Sequence, residues 1–479
     1  MSLNGTLAGR VGEAVQNASG DSLSLVSVSL KSFLDNPIIR PLRLIFYFVT
    51  PNETTFKEQH EVPDYVTEVF PMFTLMILLE LVICFIRGRR TLRINDSFSS
   101  VSAGLLSLLP PVLFKGVELT AYIWIHENFN YFHLPWDSPW TWIVAFLGVD
   151  MGYYWAHRMG HEVNLLWAAH QTHHSSEHYN LTTALRQSAS QKYVSSMFYL
   201  PMAIFVPPSA YLVHSQFNLT YQFWVHTEVI DKLGPLEYIL NTPSHHRVHH
   251  GRNKYCLDKN YAGTLIIWDR LFGTFQEETK EEVVYGLVHP HRNWDVFYTQ
   301  VSHFLYIWKC FWRRKGWRNK LNTLFMGPGW APGKPRFGCH EDIPEIEQAV
   351  KIYNKDLPIW CNVYVVIHFA LALLAYIALL TMKKLVGPVV LFVSVMYVVF
   401  TLSVFGWLYE HKPHAPYFEL LRCLIYVGAD IYLTSSGVYD GASAMLMYLA
   451  LGLRFIFLAS GSIWLIHCYR DLTAKKKEA

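Results

Sequence analysis

The sequence is poor in charge and in paired cysteines. Only 16% of its 479 residues are charged and 52% are apolar, whereas a typical soluble domain is about 25% charged. The 40 basic and 37 acidic residues nearly cancel, so the net charge of +3 gives no electrostatic basis for binding nucleic acid. The seven cysteines form no CxxC pair, which argues against a disulfide framework or a zinc ribbon. These absences favour a membrane protein.

Long apolar runs predict the membrane segments. The first run, Val69–Ile86, is close to the shortest helix that can span a bilayer. The second, Ala103–Ile125, is expected to be a broken helix because it contains Pro110-Pro111, Lys115 and Glu118. The third, Trp140–Ala156, begins in a tryptophan belt typical of a membrane interface. Four further runs follow later in the chain: Ile359–Met382, Leu385–Leu408, Tyr417–Tyr432 and Ala444–His467.

Residues 193–230 contain two apolar stretches separated by Pro207-Pro208. They are interpreted as a membrane hairpin that enters and returns on the same side. Two independent spans remain the alternative. The sequence does not distinguish the two arrangements, because both return the chain to the same side of the membrane.

Charges at the ends of these runs predict the orientation. The first 60 residues lack a charged start followed by an apolar core, so no cleaved signal peptide is expected. Arg87, Arg89 and Arg90 close the first run and should face the cytosol, which places the amino terminus in the lumen. The boxes described below and the carboxyl terminus then face the cytosol. The final Lys476-Lys477-Glu478-Ala479 resembles a dilysine retrieval signal, which predicts the endoplasmic-reticulum membrane.

The possible glycosylation acceptors lie on the predicted lumenal side: Asn4, Asn17 and Asn52. The predicted organisation is a single membrane-embedded unit. Its parts are a lumenal segment (1–66), the first transmembrane helices (67–156), a catalytic region (157–315), a polar loop (316–358), carboxyl-terminal transmembrane helices (359–468) and a cytosolic tail (469–479).

Histidine is concentrated in one region. The chain has 23 histidines, and 12 of them lie between His157 and His250. Three boxes stand out within it: His157-Arg-Met-Gly-His161, His170-Gln-Thr-His173-His174 and His246-Arg-Val-His249-His250. On a helix, offsets of three and four residues place the histidines of a box on one face. Imidazole is a neutral ligand that suits iron, zinc, copper or nickel.

Eight box histidines are too many for one ion with an open position, and they suit a pair of ions. With histidine alone binding the ions, carboxylates are expected behind the rings, where they orient them through the second ring nitrogen. Asp150 lies two helical turns before His157, and Glu162 directly follows His161. Both are candidate catalytic residues in this orienting role.

Two other classes of metalloprotein fit less well. The zincin signature HExxH is absent because Glu162 follows the second histidine of its box rather than the first. A metal transporter would place its ligands near the middle of several spanning helices, whereas these boxes lie at a helix end and in polar segments beside the membrane.

The boxes resemble those of the fatty acid hydroxylase and sterol desaturase superfamily. The resemblance extends to Gln222-Phe-Trp-Val-His226-Thr and to the segment from Asn260-Tyr-Ala-Gly263 through Trp268-Asp269 to Phe275. It implies that His226 is a ninth ligand, while Gln222 stands where some members have a further histidine. Within the superfamily, the phrases YYWAHRMGHEVNLLWAAHQTHHSSEHYNLTTALRQS and LDKNYAGTLIIWDRLFGTF look most like the alkylglycerol (glyceryl-ether) monooxygenase family.

This resemblance implies an all-α polytopic membrane enzyme whose cytosolic helical cap holds two iron ions. It implies O2 activation with electrons from tetrahydrobiopterin, and hydroxylation of the carbon next to the ether oxygen of 1-O-alkylglycerols, with lyso-alkylglycerophospholipids as further substrates. The hemiacetal would break down to a fatty aldehyde and glycerol. No pterin-binding motif is visible in the sequence. The alternatives are a sterol or fatty-acyl hydroxylase or desaturase of the same superfamily and, in a different class, a zinc-binding membrane protein.

Overall fold

The computed structural model is helical almost throughout. It describes residues 34–88, 93–113, 116–346, 352–355, 357–382, 386–437, 441 and 443–478. Across these ranges the only β-structure is a pair of isolated bridges, Leu240 with Leu265 and Gly251 with Tyr285. The predicted all-α class is therefore confirmed. Asn4, Asn17, Arg89 and Arg90, used above to predict orientation, lie outside the described residues.

The helices are numbered in chain order. The first eight are α1 (Ile39–Ile45), α2 (Pro51–Thr54), α3 (Tyr65–Ile86), α4 (Ile94–Leu113), α5 (Val117–Phe129), α6 (Pro139–Glu162), α7 (Asn164–His170) and α8 (Leu181–Ala184). The next six are α9 (Gln191–Ser196), α10 (Pro208–Trp224), α11 (Pro243–His250), α12 (Ile267–Phe272), α13 (Val296–Arg313) and α14 (Trp317–Phe325). The last four are α15 (Ile359–Met382), α16 (Pro388–Tyr409), α17 (Ala415–Ser435) and α18 (Ala444–Glu478).

Four helical segments in the described part of the chain are long and apolar enough to cross a bilayer. They are Gln59–Ile86, Ile359–Leu379, Pro388–Tyr409 and Ala444–Arg470. The chain is thus a membrane protein with several transmembrane helices. The other three predicted crossings fall within α4 and α5, within α6 and within α17, and they do not meet the same criterion. In α17 the reason is visible, because the charged residues Glu419, Arg422 and Asp430, all buried, interrupt its apolar sequence.

The second apolar run is a broken helix, as predicted. Helix α4 continues past Pro110 and ends at Leu113, and α5 begins at Val117. Gly116, between the two helices, has a φ of 59°, a left-handed conformation that glycine adopts without steric cost. The turn is therefore made after the prolines.

The region predicted to form a membrane hairpin is asymmetric. Its first arm consists of α9 and a 3₁₀ turn at Leu200–Ile204, and its second arm is the 17-residue helix α10 after Pro207. Irregular backbone is not tolerated facing lipid, so a first arm without a continuous helix favours a hairpin over two full spans. The number of full crossings stays a prediction.

Helix α10 is fixed by aromatic packing against the amino-terminal helices. Phe217 lies 4.7 Å from Tyr65, and Phe223 stacks on Phe73 at 3.9 Å between ring centroids. Both contacts join α10 to α3, and Leu44 and Ile45 of α1 are buried in the same cluster. This packing determines where the chain emerges at the end of α10, directly before His226.

Candidate metal centre

The three histidine boxes lie on separate helical segments that meet in one region of the fold. The first box occupies the last turns of α6, and the third forms the end of α11. The second box is split: His170 ends α7, whereas His173 and His174 lie on a 3₁₀ turn. The second box is therefore not one continuous α-helix, and its adjacent members face different neighbours.

The nine histidines predicted as ligands form two groups. The first group contains five histidines and the second contains four, and within each group the ligand atoms lie within 4.8 Å of one another. The five are His157, His161, His170, His174 and His249; the four are His173, His226, His246 and His250. All nine are buried. Adjacent residues in the second and third boxes therefore belong to different groups.

The ring nitrogens have the spacing of ligands around an ion. In the first group the Nε2 atoms of His157 and His170 are 3.0 Å apart, and those of His174 and His249 are 3.2 Å apart. In the second group His226 Nε2 lies 3.0 Å from His246 Nε2. Nitrogens that lie about 2.0–2.1 Å from one ion, as in zinc sites, are about 3 Å apart when they subtend a right angle. The spacing fits a metal ion in each group.

Backbone carbonyls determine which nitrogen of several rings carries the proton. His173 Nδ1 lies 3.1 Å from the Arg186 carbonyl oxygen, and His226 Nδ1 lies 2.7 Å from that of Gln222. A carbonyl only accepts, so each ring donates from Nδ1, and its Nε2 in the neutral form bears a lone pair. These two lone pairs face each other across 3.2 Å. A cation between them would turn this repulsion into coordination.

Burial keeps the imidazoles neutral. Loss of hydration lowers the pKa of His170 to about 4, and it lowers the pKa of His157 and His249 well below the usual range of histidine. Neighbouring imidazoles lower the pKa of His157 and His249 further. Neutral rings can bind a metal ion without first releasing a proton.

Asp150 does not orient His157 directly, in contrast to the expectation. Its buried carboxylate accepts hydrogen bonds from the backbone N–H groups of Thr264 at 2.7 Å and Leu265 at 2.9 Å. His157 Nδ1 instead lies 2.8 Å from the carbonyl oxygen of Tyr261. Asp150 therefore holds the loop that holds the histidine. The two-turn spacing along α6 puts Asp150 beside this loop rather than beside the ring.

A second carboxylate fixes the other end of the same loop. Asp269 accepts the N–H groups of Tyr261 and Ala262, each at 2.8 Å. The Lys259 carbonyl, just before the loop, lies 2.8 Å from His249 Nδ1. Gly263 is needed between these contacts, because a Cβ there would lie 2.8 Å from the Asn218 side chain. The segment from Lys259 to Asp269 thus orients rings from two boxes.

Glu162 also differs from its expected placement. It is the last residue of α6, and its carboxylate pairs with Arg158, one turn earlier, at 2.7 Å. Among the described hydrogen bonds, none joins Glu162 to a box histidine. The carboxylate nearest His161 Nδ1 is that of Asp258, at 3.6 Å. A catalytic role for Glu162 stays a prediction that this geometry does not support.

His226 reaches the second group because of a carboxylate on a membrane helix. Glu80 of α3 is buried and accepts hydrogen bonds from the Leu181 N–H at 2.8 Å and from the Thr227 hydroxyl at 2.5 Å. Leu181 begins α8, shortly after the second box, and Thr227 directly follows His226. Glu80 thus joins two ligand-bearing segments to α3. Gln222 binds Asn218 through its side-chain amide, so it adds no further ligand to the group.

His214 lies on α10 and belongs to neither histidine group. Its side chain is fully buried, and its Nδ1 lies 2.6 Å from the Tyr47 hydroxyl. The ring stacks against Tyr47 as well. Its environment is that of a packed core residue, so removing the ring would leave a cavity.

Sequence reasoning missed three carboxylates near the histidines, Glu80, Asp258 and Asp269, because none of them has box spacing. Glu80 contacts the segments of Leu181 and Thr227, Asp269 contacts the backbone of Tyr261 and Ala262, and Asp258 lies beside the His161 ring. A signal existed for Glu80, because an acidic residue inside an apolar membrane run is costly without a role. Asp269 lay within the phrase LDKNYAGTLIIWDRLFGTF quoted above, but nothing in its spacing pointed to the histidines.

Comparison with known proteins agrees with this architecture. The model of the fatty acid hydroxylase family matches residues 142–274, and that of the alkylglycerol monooxygenase C-terminal domain matches residues 361–449. The alkylglycerol monooxygenase of Xenopus tropicalis is 53% identical over 391 residues, covering 82% of this chain and 87% of that protein. Its Homo sapiens counterpart is 52% identical over 394 residues, covering 82% and 88%. The Danio rerio protein is 46% identical over 440 residues, covering 91% and 96%. No solved structure matches the chain.

Proposed function

The chain belongs to the alkylglycerol monooxygenase family, and we propose that it hydroxylates the carbon next to the ether oxygen of 1-O-alkylglycerols. The hemiacetal formed breaks down to a fatty aldehyde and glycerol. Lyso-alkylglycerophospholipids, which carry the same ether bond, are proposed as further substrates. Membership of the family makes the chain a monooxygenase of lipid metabolism; the substrate is inferred from the names of its relatives.

The observation that carries the proposal is the pair of histidine groups with facing lone pairs. His173 and His226 point unprotonated nitrogens at each other across 3.2 Å, while backbone carbonyls hold their other nitrogens. We propose that the five-histidine and four-histidine groups each hold one iron ion, since imidazole is a good ligand for iron. Bound iron would supply the activation of O2. Zinc would bind the same donors but would not supply redox chemistry.

The residues of the chain contribute burial and orientation. All nine rings are buried, so bulk water is kept from the reacting carbon. Backbone carbonyls hold the rings of His157, His249, His173 and His226 in place; they belong to Tyr261, Lys259, Arg186 and Gln222, respectively. Loss of such a partner typically lowers metal affinity or activity by 10- to 100-fold. The first box ends α6, and the start of this helix exposes Trp140, as at a membrane interface. We propose that the alkyl chain approaches the box from the bilayer.

The reaction needs two electrons beyond those of the substrate. One atom of O2 enters the C–H bond, and the other leaves as water once two electrons and two protons are supplied. Tetrahydrobiopterin is proposed as the electron donor, by resemblance to the family. We assign no residues to its binding.

Location and orientation are also proposed. The dilysine-like tail and the arginines after the first span favour the endoplasmic-reticulum membrane with the metal centre and carboxyl terminus in the cytosol.

The test uses the full chain in lipid nanodiscs with a labelled 1-O-alkylglycerol, with and without tetrahydrobiopterin. We expect labelled aldehyde only with the pterin, and about two irons per chain by elemental analysis. His249→Ala is the inactive control. If no reductant supports aldehyde formation and the protein oxidises a sterol or fatty acyl substrate, the proposed activity is wrong and that of another superfamily member replaces it. Zinc alone in an inactive protein would favour a zinc-binding role.

A further inference from the structure

The segment that follows the histidine boxes is strongly one-sided in charge. Residues 296–340 contain eight lysines and arginines and no aspartate or glutamate. An even spread of the chain's 37 acidic residues would place about three there. The segment forms α13 and α14, two helices joined by a short turn. We call residues 296–325 the basic hairpin.

The basic hairpin also exposes large aromatic side chains. Trp308 is 62% exposed, Trp312 is 59% exposed and Trp317 is 73% exposed. Leu305 and Leu321 are exposed beside them. A patch of this kind on a folded protein normally marks an interaction surface, and tryptophan is enriched where proteins meet the membrane–water interface.

The opposite face of α13 is packed on the histidine-box region. Gln300 accepts a hydrogen bond from the Ala189 N–H at 2.9 Å, and His303 Nε2 lies 2.7 Å from the Asn164 side-chain oxygen. Asn164 is the first residue of α7, which ends at the ligand His170. The aromatic face of α13 is therefore the outer face of the catalytic region.

The start of α13 is tied to the end of a membrane span. Asp295 accepts a hydrogen bond from the Trp407 indole at 2.7 Å, and the Trp294 N–H donates to Glu410 at 2.6 Å. Trp407 lies in the last turn of α16, which ends at Tyr409. Because α16 has the composition of a span, this contact places the beginning of the basic hairpin at the level of the membrane surface.

The exposed cations of the basic hairpin lack acidic partners. Lys309, Arg313, Lys315 and Arg318 are exposed, and no ion pair involving any of these four is found among the described residues. Lys320 instead lies over aromatic rings, 4.7 Å from the centroid of Trp312. The cations and the tryptophans thus occupy the same outer surface.

We propose that the basic hairpin lies in the headgroup layer of the membrane and binds anionic phospholipids. Its tryptophans would enter the boundary of the acyl region, as in interfacial amphipathic helices. Its four unpaired cations would contact lipid phosphates and carboxylates, each increasing the affinity for an anionic surface about fivefold. This inference is independent of the substrate proposed above, because it rests on a surface outside the histidine groups.

The test uses the full chain, one copy per nanodisc, in pure phosphatidylcholine or with about a third of the lipid replaced by phosphatidylserine. Amide hydrogen exchange is measured over residues 305–325. We expect exchange to slow at least fivefold with phosphatidylserine, and high salt to remove the difference because it screens exposed charges. The combined variant Lys309→Gln, Arg313→Gln, Lys315→Gln and Arg318→Gln should also remove it. Lys280→Gln, an exposed charge elsewhere, should leave it intact.

The tryptophans are tested separately with phosphatidylcholine brominated in its acyl chains, which quenches indoles that reach them. The measured quantity is the part of the tryptophan fluorescence that the brominated lipid quenches. In the variant Trp308→Phe, Trp312→Phe and Trp317→Phe this quenched part should be smaller than in the unmodified chain. If the substitutions instead reduce only the part that the lipid does not quench, these indoles lie in water and the proposal is overturned. Equal hydrogen exchange of residues 305–325 in both lipids would overturn the proposal too. So would a slowing of exchange that appears only with a second copy in the disc or with an added acidic protein.

Discussion

His226 is the proposed ligand whose replacement should show that the two histidine groups bind metal separately. Its Nε2 lies 3.2 Å from that of His173 and 3.0 Å from that of His246. His226→Ala therefore leaves three donors in the second group and all five in the first. We expect iron to fall from about two ions per chain to about one. Turnover should fall by more than 10- to 100-fold, which is the typical effect of losing a residue that only hydrogen-bonds to a metal ligand.

His161→Ala provides the matched comparison. It leaves four donors in the first group, the number that the second group has in the unmodified chain. Turnover should be lost here as well, as for any of the eight box histidines, but both ions should be retained. Elemental analysis and aldehyde production are measured on the same purified, membrane-inserted preparations.

The control on α10 is His214→Phe rather than His214→Ala. Phenylalanine fills the buried space that the ring occupies, so only the hydrogen bond with Tyr47 is lost. An unsatisfied buried hydroxyl costs about 1–3 kcal/mol, so less folded protein is expected, with two irons in each folded chain. Iron unchanged in His226→Ala would remove His226 from the centre. Equal iron loss in His226→Ala and His161→Ala would show that the number of donors does not decide retention.

Two further predictions concern regions outside the boxes. Glu80→Gln keeps the size of the side chain but leaves one acceptor oxygen for the two donors, the Leu181 N–H and the Thr227 hydroxyl. We expect the free energy of unfolding to fall by about 1–3 kcal/mol and turnover to fall about 10- to 100-fold. Unchanged turnover would contradict a positioning role for Glu80. In sealed microsomes, protease should remove a tag on the carboxyl terminus and spare one on the amino terminus, with a glycan at Asn52 as supporting evidence. Two accessible termini would mean an even number of crossings, as the four clearly apolar spans alone would give, and would contradict the predicted orientation.

Much of the fold and of the site was predictable because the signals are local. Apolar runs give the membrane helices directly, since a bilayer requires long uncharged stretches. The box spacing gives the faces of α6 and α11, since offsets of three and four residues meet on a helix. The break between α4 and α5 was predicted from the prolines and charged residues of the second run, but its position at the left-handed turn of Gly116 was not visible in the sequence.

The roles of the carboxylates were not predictable from spacing along one helix. Asp150 was expected to contact His157 from the same face of α6, but it binds Thr264 and Leu265 from a distant loop. Glu162 follows a ligand in sequence, yet it pairs with Arg158 of its own helix. A carboxylate binds whichever donors are brought to it, and backbone N–H groups from other segments do not appear in a sequence pattern.

The sequence by itself determined that nine imidazoles would be available beside a membrane, and that they suit transition-metal chemistry. Tertiary structure alone decided how they divide. His173 and His174 are adjacent, yet they serve different groups, and so do His249 and His250. Local spacing fixes only the direction in which each ring leaves its own helix. Which ring it meets depends on the helices packed opposite, and that packing was set by contacts such as Phe217 on Tyr65 and Glu80 with Thr227.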